Sequence, residues 1–315
     1  MLSNDISDLV RQLRERGAQN VALQFPAGLK RRAAAYTSAL KSAGFDVIVS
    51  GDPCYGACDL ALDTLASADV LVHVGHAPVD DQDRVIFLPY EVDFDTAVLE
   101  NALLLLGRKT TGLVTTVQHV HLVPAMESFL EDRGIDVRVA EGRGRTPFRG
   151  QVLGCCFTAA RETGADQILF VGTGLFHPIG IALSTGARVV ALDPLTGTAQ
   201  EVKGDALLRK RFAVMEKARG AGSFGIIVST KSGQHRMDLA RRLAALSPRA
   251  VIVAMNEVSP DELLNLGFAG YVNTACPRLA YDDQVRFPVP VLSPQEFEIL
   301  CGVRDWDRYA IDEIP

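Results

Sequence analysis

No run of apolar residues in this chain approaches the roughly 20 that a bilayer-crossing helix needs, so a membrane span is excluded. Residues 1–16 carry Asp5, Asp8 and Glu15 and lack an apolar h-region, so no signal peptide is expected there. Positive charge is not in excess: 32 Lys and Arg against 38 Asp and Glu leave a net charge of −6. That balance excludes broad, non-specific attraction to nucleic acid, so any partner is met through a local patch or a shape match. Aromatic residues are scarce at 7%, and the single tryptophan, Trp306, lies in a charged tail expected to pack across a surface. Low-complexity linkers are missing as well. Cysteine is too sparse for a disulfide framework, at six in 315 residues. With no export signal expected, the reading is a cytoplasmic protein whose thiols serve metal binding, catalysis or simple burial.

What is present is an ordinary globular composition, 48% hydrophobic and 22% charged. The length suggests two or three domains. Short apolar runs alternate with amphipathic stretches, which is the signature of parallel βαβ units. First strands begin near 21, 111 and 225, so the chain reads as three repeats of roughly 100 residues. The expected fold is α/β: three similar domains, each a small parallel sheet flanked by helices, arranged around a central cluster site. The boundaries are 1–107, 108–220 and 221–315, the last including the tail. Within this frame 45–50 reads as a buried strand, 60–67, 94–106 and 155–163 as helices, and 135–140 as a strand. Residues 142–150 form a basic, Gly-rich loop. Ser259-Pro260-Asp261-Glu262 and Ser293-Pro294-Gln295-Glu296 are helix starts with an N-cap, a proline and a capping glutamate.

Thiols stand at element ends in each repeat. Gly51-Asp52-Pro53-Cys54-Tyr55-Gly56-Ala57-Cys58-Asp59 is a Pro/Gly turn leaving a strand. Leu153-Gly154-Cys155-Cys156 opens a helical pattern, and Tyr271-Val272-Asn273-Thr274-Ala275-Cys276-Pro277-Arg278 ends a strand. A single buried cysteine is more often a small hydrophobe than a ligand. One thiol per repeat is a different matter, because ligands of parallel sheets gather beyond the carboxyl ends of the strands. The expectation is that one thiolate from each repeat converges on one metal centre. Cys54 and Cys58 are spaced CxxxC, but Ala61 stands where a CxxxCxxC run needs its third thiol. Cys155 and Cys156 are neighbours whose side chains point apart, so one of the two is a ligand. Cys301 falls in an apolar helix and reads as core.

Three thiolates would leave one iron of a cluster open to substrate, by the logic that separates catalytic from structural metal sites. Among the histidines, His119 and His121 alternate and share a face, where packing is favoured over metal binding. His73 and His76 flank a strand end without recognisable spacing. His177, in Gly172-Thr173-Gly174-Leu175-Phe176-His177-Pro178, follows a strand and opens a helix at the ligand edge. Ser229-Thr230-Lys231-Ser232-Gly233-Gln234 holds the matching place in the third repeat and suits a small polar ligand.

Taken together, Tyr55-Gly56-Ala57-Cys58, Leu153-Gly154-Cys155, Gly174-Leu175-Phe176-His177, Asp193-Pro194, Gly233-Gln234 and Ala275-Cys276-Pro277-Arg278-Leu279 resemble the diphthamide-biosynthesis radical enzymes in their archaeal single-subunit form. Phe25-Pro26-Ala27-Gly28-Leu29 is similar to that family's early turn, with alanine where an acidic residue is common. The resemblance spans nearly the whole chain. It implies that Cys58, Cys155 and Cys276 ligate a 4Fe–4S cluster whose fourth iron faces S-adenosylmethionine. It further implies that Gly174, His177, Asp193, Gly233 and Gln234 hold that substrate. The implied activity is a 3-amino-3-carboxypropyl transferase acting on a histidine of translation elongation factor 2, by reductive cleavage of the Cγ–S bond. Methylthioadenosine is the by-product. An electron donor and a homodimer follow from the same resemblance. Two other readings stand beside it: a quinolinate-synthase-like cluster enzyme, and a non-catalytic scaffold stapled by metal.

Overall fold

The computed structural model describes residues 2–107 and 109–314. Met1, Arg108 and Pro315, at which the expected repeats begin or end, lie outside the described residues. Two compact units are formed, Met1–Val92 and Asp93–Pro315.

The first unit contains α1 (Leu2–Glu15), β1 (Asn20–Gln24), α2 (Ala33–Ser42), β2 (Asp46–Val49), β3 (Val70–Gly75) and β4 (Val85–Pro89). Its sheet is wholly parallel in the order β2-β1-β3-β4. Alternation along β1 sends Val21 and Leu23 to one core, with Leu9, Leu13 and Leu40 of the helices, and Ala22 to the other. The expected buried strand at 45–50 is instead an edge: β2 pairs with β1 alone, and Ile48 and Val49 are 41% and 44% exposed. The expected helix at 60–67 is a short 3-10 turn, Leu62–Ala66.

The second unit carries two sheets. The first of them is built from β5 (Thr111–Thr115), β6 (Val137–Arg138), β7 (Gln167–Val171), β8 (Arg188–Asp193) and β9 (Thr198–Val202). Around it stand α3 (Glu100–Leu103), α4 (Val123–Glu131), α5 (Thr158–Glu162) and α6 (Phe176–Thr185), and α7 (Asp205–Ala218) follows, with Met215 and Ala218 in the core of the next sheet. The strand order is β6-β5-β7-β8-β9, parallel except for the β8–β9 hairpin. The stretch expected as one helix over 94–106 is a 3-10 turn followed by α3. It packs Leu99 and Ala102 into the core with Leu113, Val123 and Leu169.

The remaining sheet comprises β10 (Phe224–Ser229), β11 (Ala250–Met255), β12 (Gly270–Asn273) and β13 (Val291–Leu292), in the parallel order β11-β10-β12-β13. Its helices are α8 (Met237–Ala244), α9 (Pro260–Leu266), α10 (Arg278–Tyr281) and α11 (Pro294–Leu300). Both expected helix starts are present. Ser259 accepts from the Glu262 amide, and Ser293 with Glu296 forms a full capping box. Trp306 of the tail sits edge-on to Phe212, with ring centroids 5.4 Å apart.

Each sheet thus runs second-first-third-fourth in its own strand order. That shared order supports three repeats over 1–107, 108–220 and 221–315, which we keep as a proposal. Reversal of the winding between the first and third strands puts a crevice at the carboxyl edge of each sheet, the place where such folds bind ligands.

Candidate functional site

In the first unit Cys58 lies on the loop that leaves β2, and polar side chains shape that loop. Gln24, at the end of β1, donates to the Asp59 carbonyl (2.8 Å) and accepts from the Ala61 amide (3.2 Å). Lys30 Nζ donates to the carbonyls of Gly51 and Asp52, both at 2.8 Å. Asp59 accepts from the Tyr55 amide. The loop is therefore held from β1 and from the turn after it, and Cys58 remains half-exposed while Cys54 is buried.

In the second unit, Cys155 and Cys156 precede a helix but do not belong to it. Leu153 and Cys156 exchange backbone hydrogen bonds of 3.0 and 3.2 Å, closing a tight turn before α5 begins at Thr158. This corrects the helix expected over 155–163. The turn buries Cys156 and leaves Cys155 half-exposed, as neighbouring side chains on opposite faces require. Gly154 is demanded by its surroundings, since a Cβ there would meet the Phe176 ring at 2.6 Å. Two motifs distant in sequence, Leu153-Gly154-Cys155 and Gly174-Leu175-Phe176-His177, are thereby packed together.

Cys276 follows β12. Asn273 donates to the Cys276 carbonyl (2.8 Å) and accepts from the Ala275 amide (3.0 Å), which curls the chain at the strand end. Arg236 reaches the carbonyls of Thr274 and Ala275 at 2.7 and 3.0 Å and pairs with Asp312 at 2.6 Å. Two residues beyond Cys276, the Arg278 guanidinium stands 4.9 Å from the centre of the Phe176 ring. Phe176 therefore joins the Cys155 turn to the segment after Cys276. The tail fastens the same region: Ile314 donates to the Cys155 carbonyl (2.8 Å), and Glu313 accepts from the Phe157 amide (2.9 Å).

The expected substrate-holding residues occupy carboxyl edges too. Gly174 follows β7 with φ +77°, a left-handed conformation that favours glycine. His177 stacks on Phe170 with centroids 5.7 Å apart. Burial, reinforced by the nearby Arg278 charge, lowers its pKa to about 4, so the ring is neutral at physiological pH. Asp193 ends β8, and its carboxylate accepts from the amides of Leu195 and Thr196, shaping the hairpin turn. Gly233 and Gln234 are buried in a 3-10 turn after β10.

Arg145 was not singled out by sequence reasoning. It is only 9% exposed, donates to the Gly233 carbonyl (3.1 Å), and its Nε has no partner in the described structure. A buried guanidinium with an open donor is suited to a carboxylate. Its sequence signal is the basic, Gly-rich stretch 142–150. Arg236, Asp312 and Glu313 were missed for another reason: each acts through backbone carbonyls or amides far away in sequence. His119 and His121 do not share a face, because they lie on a 3-10 turn, Val117–Leu122. His119 is buried edge-on to Phe94, and His121 bonds Asp93 at 2.8 Å.

No disulfide joins the described cysteines. Cys58 in the first unit, and Cys155 and Cys276 in the second, are each half-exposed beyond a strand's carboxyl end, and a thiolate is the donor that iron–sulfur clusters take. The strands differ, however: Cys58 and Cys155 follow the second strand of their sheets and Cys276 the third. No helix among the described residues is long and apolar enough to cross a membrane.

Known proteins resemble the chain over nearly its whole length. Residues 25–310 match the family model "Putative diphthamide synthesis protein". The 2-(3-amino-3-carboxypropyl)histidine synthase of Pyrococcus horikoshii is 38% identical over 98% of this chain and 92% of its own length. Subunit 1 of the human 2-(3-amino-3-carboxypropyl)histidine synthase is 28% identical over 98% of this chain and 74% of its own. A crystal structure of Dph2 from Pyrococcus horikoshii with a 4Fe-4S cluster superposes with a TM-score of 0.92 at 35% identity, covering 98% of this chain and 93% of that one. A family match spanning most of the residues, and a relative aligned along nearly the whole length, place the conclusion beyond fold alone: the chain belongs to the diphthamide-synthesis family.

Proposed function

We propose that this chain is a 2-(3-amino-3-carboxypropyl)histidine synthase, which carries out the first step of diphthamide biosynthesis. It moves the 3-amino-3-carboxypropyl group of S-adenosylmethionine onto a histidine of translation elongation factor 2. The observation that carries this reading is the full-length likeness to the Pyrococcus synthase in a chain whose three half-exposed thiols stand at strand ends. Cys58, Cys155 and Cys276 are the proposed ligands of a 4Fe–4S cluster. When bound, such a cluster supplies the electron that breaks the Cγ–S bond and releases methylthioadenosine.

The chain's own contribution is positioning. Three thiolates leave one iron without a protein ligand, which is where a substrate can approach. Gly174, His177, Asp193, Gly233 and Gln234 are the proposed S-adenosylmethionine contacts. Gly174 permits close backbone approach, and a neutral His177 can accept or donate a hydrogen bond without repelling a sulfonium. Arg145, beside Gly233, is placed to take the methionyl carboxylate. The acceptor histidine belongs to the elongation factor, so no internal base is needed to activate it. The protein acts in the cytoplasm as a homodimer and draws its electron from a separate donor.

The test is direct. Anaerobic, reconstituted protein with dithionite, S-adenosylmethionine and elongation factor 2 is expected to yield methylthioadenosine and a factor heavier by one 3-amino-3-carboxypropyl group. No methylthioadenosine from cluster-loaded protein would sink the proposal. Arg145→Met is expected to raise KM for S-adenosylmethionine about 10–100-fold, the value of one hydrogen bond to a charged group, while kcat falls far less. Arg145→Lys recovers part of that loss. An unchanged KM removes Arg145 from the site.

A further inference from the structure

Two histidines without recognisable spacing in the sequence meet a cysteine in the folded first unit. His73 lies on β3, His76 follows immediately after its end, and Cys54 comes from the loop leaving β2. One ligand atom from each lies within 4.8 Å of the other two. We propose that Cys54, His73 and His76 form a metal site, separate from the proposed cluster ligands, for one divalent ion of the zinc class.

The donor chemistry comes first. One thiolate and two imidazoles are the ligand types that select zinc or cobalt in tetrahedral sites, whereas oxygen ligands select magnesium or calcium. Cys54 is 6% exposed and His73 is fully buried, so the donors are collected away from bulk water.

Orientation comes next. His73 Nδ1 is 2.9 Å from the Gln24 side-chain oxygen, which can only accept, so Nδ1 carries the hydrogen and Nε2 presents its lone pair. That Nε2 accepts from His76 Nδ1–H at 2.9 Å, so an ion bound between them requires His76 to carry its hydrogen on Nε2 instead. Two nitrogens on a tetrahedral zinc stand about 3.3 Å apart when each Zn–N bond is about 2.0 Å, so the pair needs to open by only about 0.4 Å. Gln24 is the outer-shell partner that metal-bound histidines characteristically have. The same Gln24 also donates to the Asp59 carbonyl, so an ion here would tie β1, β3 and the Cys54 loop into one unit. Three protein ligands leave a fourth position for water. The inference stands on these groups alone and does not depend on the cluster assignment.

The alternative is a buried histidine pair beside a thiol that acts only as a small hydrophobe. The full chain carrying Cys58→Ser, Cys155→Ser and Cys276→Ser separates the two, because the proposed cluster thiols can no longer bind the probe. Anaerobic titration with Co²⁺ is expected to saturate at one equivalent, with a thiolate-to-cobalt charge-transfer band and tetrahedral d–d bands that one equivalent of Zn²⁺ bleaches. Adding Cys54→Ala abolishes the charge-transfer band, and adding His76→Ala weakens binding at least tenfold. Zinc X-ray absorption on the same chain should give one sulfur at about 2.3 Å and two imidazole nitrogens at about 2.0 Å. Should those variants fail to fold, zinc in the iron-loaded wild-type chain is measured instead, and one equivalent with the same one-sulfur signature is expected. Substoichiometric binding in that protein, or a cobalt band that survives loss of Cys54, overturns the proposal.

Discussion

Cys58→Ala, Cys155→Ala and Cys276→Ala are each expected to abolish cluster chemistry, with methylthioadenosine formation down at least 10²-fold, since losing a mere outer-shell partner of a metal site already costs about 10–100-fold. Any two of the substitutions together should be no worse than one, because ligands of one centre act as a unit. Cys156→Ala and Cys301→Ala are the controls, expected to keep the activity. Cys156 is buried beside the Thr158 hydroxyl, and Cys301 packs on the core of the third sheet. The measurement is methylthioadenosine released per chain under dithionite, together with bound iron. Wild-type activity in any one of the first three variants would remove that cysteine from the ligand set.

Arg211→Met is expected to destabilise the second unit by about 3–5 kcal/mol, the cost of leaving one member of a buried ion pair uncompensated. Arg211 on α7 and Glu296 on α11 are 1% and 0% exposed. They pair through two bonds, Nε to Oε1 at 2.8 Å and Nη2 to Oε2 at 2.5 Å. The remaining valences are also used: Arg211 donates to the carbonyls of Ala280 and Val291, and Glu296 accepts from the Ser293 amide and the Tyr309 hydroxyl. Ala280 belongs to α10, the short helix that follows Cys276, so the pair also anchors the chain just beyond that thiol. Denaturant titration should show the loss, or a fall in Tm of roughly 6–20 °C. Replacing both partners with apolar residues of similar volume should restore most of it. A single substitution costing less than about 1 kcal/mol would contradict this picture of the site as desolvated.

Element order was readable from the sequence because the parallel strands are short apolar runs and the helices carry clear caps, as at Ser259 and Ser293. Edges were not. An apolar run such as Val47-Ile48-Val49 looks buried, yet β2 has a neighbour on one side only. Strand β9 went unseen because its residues are mostly exposed and it pairs antiparallel with β8 across a turn shaped by Asp193. The thiol motifs were visible because their Gly- and Pro-rich surroundings break strands at recognisable places. The groups that hold those loops were not, since Gln24, Arg236 and Glu313 act on backbone atoms far along the chain. Arg145 lay within a recognised basic loop, but its burial against Gly233 is a tertiary fact. His73 and His76 are joined to Cys54 only by the pairing of β1 with both β2 and β3.

Three thiolates from separate parts of the chain sharing one cluster is the claim on which the enzymatic account stands. Iron content and the electron paramagnetic resonance spectrum of anaerobically prepared, dithionite-reduced protein, wild type beside Cys58→Ala, test it most directly. The account predicts about four irons per chain and a reduced-cluster signal in the wild type, as a 4Fe–4S centre requires, with both lost in the variant. Wild-type protein that takes up no iron, or a signal that persists unchanged without Cys58, would contradict it.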